Sequence, residues 1–243
     1  MKGQLTVILF ALAVFAKAQI PNFIKGNSEA QVRYEPTAVI DSTFGIAVYN
    51  ELCPALGGDS VRYVKKGYQA NDWIEDFYTN EKILHKGLYQ MGRLKAFQNF
   101  YPNGTMERSF KMKDMKRGEL IQYYDDGKVR SEVYYYNSTV QKQTDYYKNG
   151  SISFAEESDK KAEMLIKRNT YRENGQPFIV FELTDKKKKL YYHKQFNKEG
   201  SLWHEGPMVF YSGDYVKEGE WKYYDKQGKV TKTIKYHNGD EVN

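Results

Sequence analysis

Cysteine is all but missing from this chain of 243 residues, with Cys53 the single copy. One thiol closes no intramolecular disulfide, so stability must come from packing and strand pairing. Cys53 has no histidine near it in sequence and reads as a small buried apolar residue. Histidine is scarce too. His85, His193, His204 and His237 are scattered, and none has a second ligand at the i, i+4 spacing of a helical zinc site. A strong excess of one charge is also absent. The 37 basic and 31 acidic residues are interspersed and leave a formal charge of +6, which excludes the basic stripe that nucleic-acid binding calls for. The one true charge run, four lysines at 186–189, reads as a solvated turn between strands. No apolar run reaches the roughly 20 residues of a membrane-spanning helix.

Signs of catalysis are equally thin. The G-x-S-x-G elbow of a serine hydrolase does not occur, and Leu-Gly-Gly-Asp-Ser at 56–60 reads as a glycine-rich turn. His204 and Glu205 are adjacent, but neighbouring strand residues point to opposite faces and cannot share one reaction. The acidic pairs Asp125-Asp126 and Glu156-Glu157 read as solvated residues in or near turns. The chain is expected to be a non-enzyme with no catalytic, cofactor-binding or metal-binding set.

What is present begins with a leader-like segment. Lys2 precedes an apolar run over residues 5–16, and Ala16-Lys17-Ala18 fits the small-x-small pattern of a signal-peptide cleavage site. Residues 1–18 are therefore expected to be a signal peptide. The mature chain would start near Gln19 and act in the periplasm or outside the cell. Without Lys2 and Lys17 its formal charge drops from +6 to +4.

The dominant feature is a repeat. Phe100-Tyr101-Pro102-Asn103-Gly104, Tyr123-Tyr124-Asp125-Asp126-Gly127 and Tyr146-Tyr147-Lys148-Asn149-Gly150 are versions of one element. Further versions end at Gly175, Gly200 and Gly228, and an earlier one ends at Glu81 in place of glycine. Counting Glu81 first, the spacings are 23, 23, 23, 25, 25 and 28 residues. Regularity of this kind marks a repeat array. Proline presets the first central residue of a type I turn, Asn or Asp suits the second, and glycine takes the left-handed position that closes a three-residue hairpin loop with a bulge. The versions "FNKEGS" and "YDKQGK" read as carrying one extra loop residue. Alternating Val129, Val133 and Tyr135 against Lys128, Arg130 and Glu132 predicts strands on either side. Weaker turns, "YQMGRL", "YYNSTV" and "YHNGDE", split each unit into two strands and two turns. The fold class is therefore all-β: an antiparallel hairpin-repeat meander over residues 72–243, with residues 19–71 as an N-terminal β cap over the first sheet edge.

"EGEWKYYDKQGKVTKTIKYHNGD" and "HKGLYQMGRLKAFQNFYPNGTMERS" resemble the bacterial variant of the MORN repeat (membrane occupation and recognition nexus), with its G-x-W/Y, Y-Y-x-x-G-K and Y-x-N-G signatures. Proteins with this repeat are often labelled YwqK-type antitoxins. The resemblance covers roughly residues 72 to 240. It implies a non-catalytic β-repeat scaffold that binds a partner. Trp73, Trp203, Trp221, Tyr223 and Tyr224 are the candidate binding face, because Trp and Tyr dominate interface hot spots. A protein partner is expected first, and a cell-envelope glycan or lipid second.

Overall fold

The computed structural model describes residues 62–63 and 67–242, and in addition the backbone of three two-residue strands upstream. These are β1 (Arg33–Tyr34), β2 (Ile40–Asp41) and β3 (Gly45–Ile46). The expected signal peptide, Cys53, the glycine-rich segment 56–60 and most of the expected cap lie outside the described residues. β1 runs parallel beside β4 (Asp72–Tyr78), with Arg33 opposite Phe77, while β2 and β3 form a small separate hairpin.

From Asp72 onward the chain is one antiparallel meander. The first half holds β5 (Ile83–Gln90), β6 (Arg93–Phe100), β7 (Met106–Met112), β8 (Arg117–Tyr123), β9 (Val129–Tyr136), β10 (Thr139–Tyr146) and β11 (Ile152–Ser158). The second half holds β12 (Leu165–Tyr171), β13 (Pro177–Asp185), β14 (Leu190–Phe196), β15 (Leu202–Tyr211), β16 (Asp214–Lys217), β17 (Gly219–Tyr224), β18 (Val230–His237) and β19 (Asp240–Val242). Each strand pairs with the next in sequence, except that β16 and β17 lie end to end along β15. The lysine run 186–189 is the exposed turn between β13 and β14.

Six loops share one geometry, and the expected extra residue in two of them is corrected. The amide of Gly104 donates to the Tyr101 carbonyl, and that of Tyr101 to the Thr105 carbonyl. Gly200 and Asn197, and Gly228 and Asp225, repeat the same two bonds. What differs at these two loops is the loss of the second aromatic, which the sequence reading mistook for an insertion. Glu81 takes the glycine place at φ 68°, in the left-handed region. The weaker turns are two-residue hairpins with both residues at positive φ, such as Met91 and Gly92 at 50° and 73°.

That second aromatic has a use. Tyr78 donates its hydroxyl to the Phe100 carbonyl at 2.8 Å, and Tyr101 to Tyr123 at 2.9 Å. Tyr124 donates to Tyr146 at 2.6 Å and Tyr147 to Tyr171 at 2.8 Å. Each rung ties one loop to the next, 22 to 24 residues on. Arg172 stands where a tyrosine is expected, and it completes the same rung: its Nη2 donates to the carbonyls of Asn197 (2.6 Å) and Phe196 (3.2 Å). Tyr124→Phe removes one rung and nothing else, so it should cost about 1 kcal/mol and lower Tm by about 2–4 °C in calorimetry.

Alternation puts the core on one face of the sheet, here called the inner face. Tyr89, Leu94, Phe97, Phe110, Val133 and Tyr135 form one cluster, and Leu165, Phe181 and Tyr191 a second. Ala70 belongs to the first cluster, and Arg62 lies beside it. The Arg62 guanidinium lies over the Tyr89 ring and holds Asp76 through two bonds of 2.6 and 2.7 Å.

Candidate functional site

The five residues of the expected binding face do not share a face. Trp221 is 1% exposed. Its indole lies against Gly206, its Nε1 donates to the Pro207 carbonyl at 2.8 Å, and Lys217 Nζ sits 4.6 Å from the ring centre. It is therefore a core residue, and its place in the expected face is corrected. Tyr223 lies on the same inner face, accepting from Lys217 Nζ at 2.9 Å and meeting the Tyr236 hydroxyl at 3.2 Å. Trp73 is half-exposed beside Lys86, but ten strands separate β4 from β15. Trp203 and Tyr224 do come together.

They line an open groove of about 770 Å³ between the loop after β14 and the loop after β17. Phe178 and Phe196 add apolar wall, and Arg172, Gln195, Asn197 and Gln227 add polar groups. A second depression of about 550 Å³ adjoins it at Phe196 and is lined by Val180, Glu182, Tyr192, Lys194 and Glu205. The Tyr224 hydroxyl donates to Glu205 Oε1 at 2.6 Å, and this bond pushes the phenol up to about 12. Tyr224 is thus a fixed wall.

Strand register gives Trp203 its place in the fold. Gln195 pairs with His204 but Phe196 with Leu202, so Trp203 is the extra residue of a bulge. The same bulge follows the earlier loops and leaves Leu84, Glu107, Arg130, Ser153 and Phe178 as extra residues. Leu84 and Glu107 are buried and the next three half-buried, whereas Trp203 is 50% exposed. At Phe178 the guanidinium of Arg172 lies 4.7 Å from the ring centre. Asn197 occupies the position of Arg172 one repeat later, but turns its Oδ1 back to cap Glu199 and Ser201 of its own loop. It covers nothing.

The chain matches no family model and no curated protein. What the groove can do must therefore be read from its chemistry. A flat indole with amides and carbonyls around it binds by stacking and hydrogen bonding.

Two features escaped the sequence reading. His193 and His204 stack across β14 and β15 with ring centres 5.5 Å apart and planes within 10°. Burial pushes both imidazoles down to about 4, and the charge of Lys217 acts in the same direction. Finding this pair needed the β14–β15 register. Glu156 and Glu157 lie in β11, close to the turn that follows it, and pair with Arg168 and Lys167 on its two sides. His204 and Glu205 point to opposite faces as expected. Among the described residues, no three metal-ligating side chains gather, and no helix is long and apolar enough to cross a membrane.

Proposed function

We propose that this protein is an exported, non-catalytic β-repeat binding module whose groove at Trp203 receives a protein partner. The observation that carries this reading is the uncovered indole. A half-exposed tryptophan between a fixed tyrosine and two phenylalanines has the composition of an interface anchor. The signal-like segment 1–18 supports export, and the MORN-like resemblance supports a scaffold role. An envelope glycan is the second reading, favoured by the amides of Gln195, Asn197 and Gln227 beside the ring.

In-cell crosslinking of the tagged protein, followed by mass spectrometry, tests it. Trp203→Ala should weaken capture of the dominant protein at least thirty-fold, a loss on the order of 2 kcal/mol. Its Tm should stay close to wild type, because the side chain is half in solvent. Trp73→Ala is the distant control and should leave capture unchanged. Capture that survives Trp203→Ala would remove the groove from consideration, and label on glycan alone would promote the second reading.

A further inference from the structure

We infer that the groove at Trp203 is a vacant rung of the hydroxyl ladder, and that it accepts a tyrosine side chain presented by the partner. The inference rests on the reading of the groove as a protein-binding site.

The ladder itself supplies the template. Five consecutive slots between neighbouring loops are filled from within the chain, four by tyrosine and one by Arg172. Each tyrosine donates to the backbone carbonyl of the residue that ends the strand leading into the next loop, and Arg172 reaches that carbonyl and the one after it. The sixth slot has the same frame. Phe196 and Leu202 pair as Tyr146 and Ile152 do, and Tyr224 and Val230 pair as Tyr171 and Pro177 do. Its acceptor is therefore the Tyr224 carbonyl, in the place that Tyr171 fills for Tyr147. Its filler is Asn197, which is too short to reach and is committed to its own loop. The space left over is the groove, with Trp203 as its floor.

A phenol fits this vacancy better than a cation does. A phenol ring can stack on the indole while its hydroxyl donates to the carbonyl. An incoming guanidinium would enter beside Arg172, Lys198 and Lys226, which already line the space against Glu199 and Asp225. Phenylalanine would keep the stacking and leave the carbonyl without its donor.

Two experiments on the full chain decide the matter. In the first, the indole N–H resonance of Trp203, assigned with Trp203→Phe, is followed as N-acetyl-tyrosinamide is added. A saturable shift is expected, with N-acetyl-phenylalaninamide and N-acetyl-argininamide at least three-fold weaker. Equal or stronger binding of either analogue, a shift with methyl glucoside in place of the phenol, or no shift at all would overturn the inference. In the second, the double variant N197Y/E199N makes residues 197–201 a copy of residues 147–151, with a tyrosine for the slot and an asparagine to cap the loop. It should fold with unchanged or higher Tm, no longer respond to N-acetyl-tyrosinamide, and lose the crosslinked protein. If it keeps the protein while Trp203→Ala loses it, the vacant rung is refuted and the protein-binding groove stands. If Trp203→Ala keeps the protein, the underlying reading fails instead.

Discussion

Gly206→Ala is expected to cost about 3 kcal/mol and to lower Tm by about 6–12 °C. A Cβ at this position would stand 2.5 Å from the Trp221 ring, well inside contact distance. The indole has nowhere to go. Its Nε1 is tied to Pro207, Lys217 lies over it, and His193 and His204 flank it with ring centres 5.5 and 5.6 Å away. Forcing atoms into a filled site usually costs 1–3 kcal/mol, and a ring held on three sides belongs at the upper end. Calorimetry with tryptophan fluorescence would show the fall in Tm together with partial exposure of Trp221. A Tm within a degree of wild type would mean that the sheet can flex away from the ring.

Acid is expected to weaken the fold through its buried histidines. His85 is fully buried, and burial, outweighing the pull of Asp76, pushes its imidazole down to about 4. With the Asn99 amide turned to satisfy both of its ends, it donates to His85 Nδ1 at 2.6 Å and accepts from Arg108 Nε at 3.1 Å. The neutral ring then keeps its proton on Nε2, which donates to the Tyr89 hydroxyl at 3.1 Å. A histidine that titrates near 6.5 when unfolded and near 4 when folded binds more protons in the unfolded state between those values. Its contribution is complete above pH 6.5, shrinks as pH falls, and stops changing below pH 4. For His85 the full loss is on the order of 3 kcal/mol. His193 and His204 add to it in the same window, discounted because solvent reaches both. Asp114, Asp125, Asp159 and Glu218 are all held below their ordinary values, chiefly by hydrogen bonds, so their own losses come at lower pH than ordinary carboxylates would give. Urea midpoints should fall steadily between pH 6.5 and 4.5 and be flat from pH 7 to 8. A flat profile across the lower window would refute the buried neutral histidines.

The loops were legible because each is specified within five or six residues, and glycine spacing alone placed the strands between them. The division between core and surface tryptophans was not. Trp203 and Trp221 are of one type and both lie in strands. What separates them is Gly206 making room for one and Asn197 failing to cover the other, each acting across strands. One clue was present at Asn197, where an aromatic is missing from an otherwise regular element, but it was read as a change in loop length. Arg172 stands where the repeated element would carry a tyrosine, and its guanidinium still reaches the carbonyls that a phenol takes in the other rungs. The histidine stack depends on a register that strand alternation does not supply.

The rungs also bear on how the chain is made. Every tie joins residues about one repeat apart, so contact distance along the chain stays constant however many repeats are added. Proteins built from such local contacts fold quickly, and stability accumulates from neighbour to neighbour. A loop leaving the ribosome needs only the next 22 or so residues before its hydroxyl finds an acceptor. The array can therefore assemble in the order of its synthesis, with each finished repeat serving as the template edge for the one that follows.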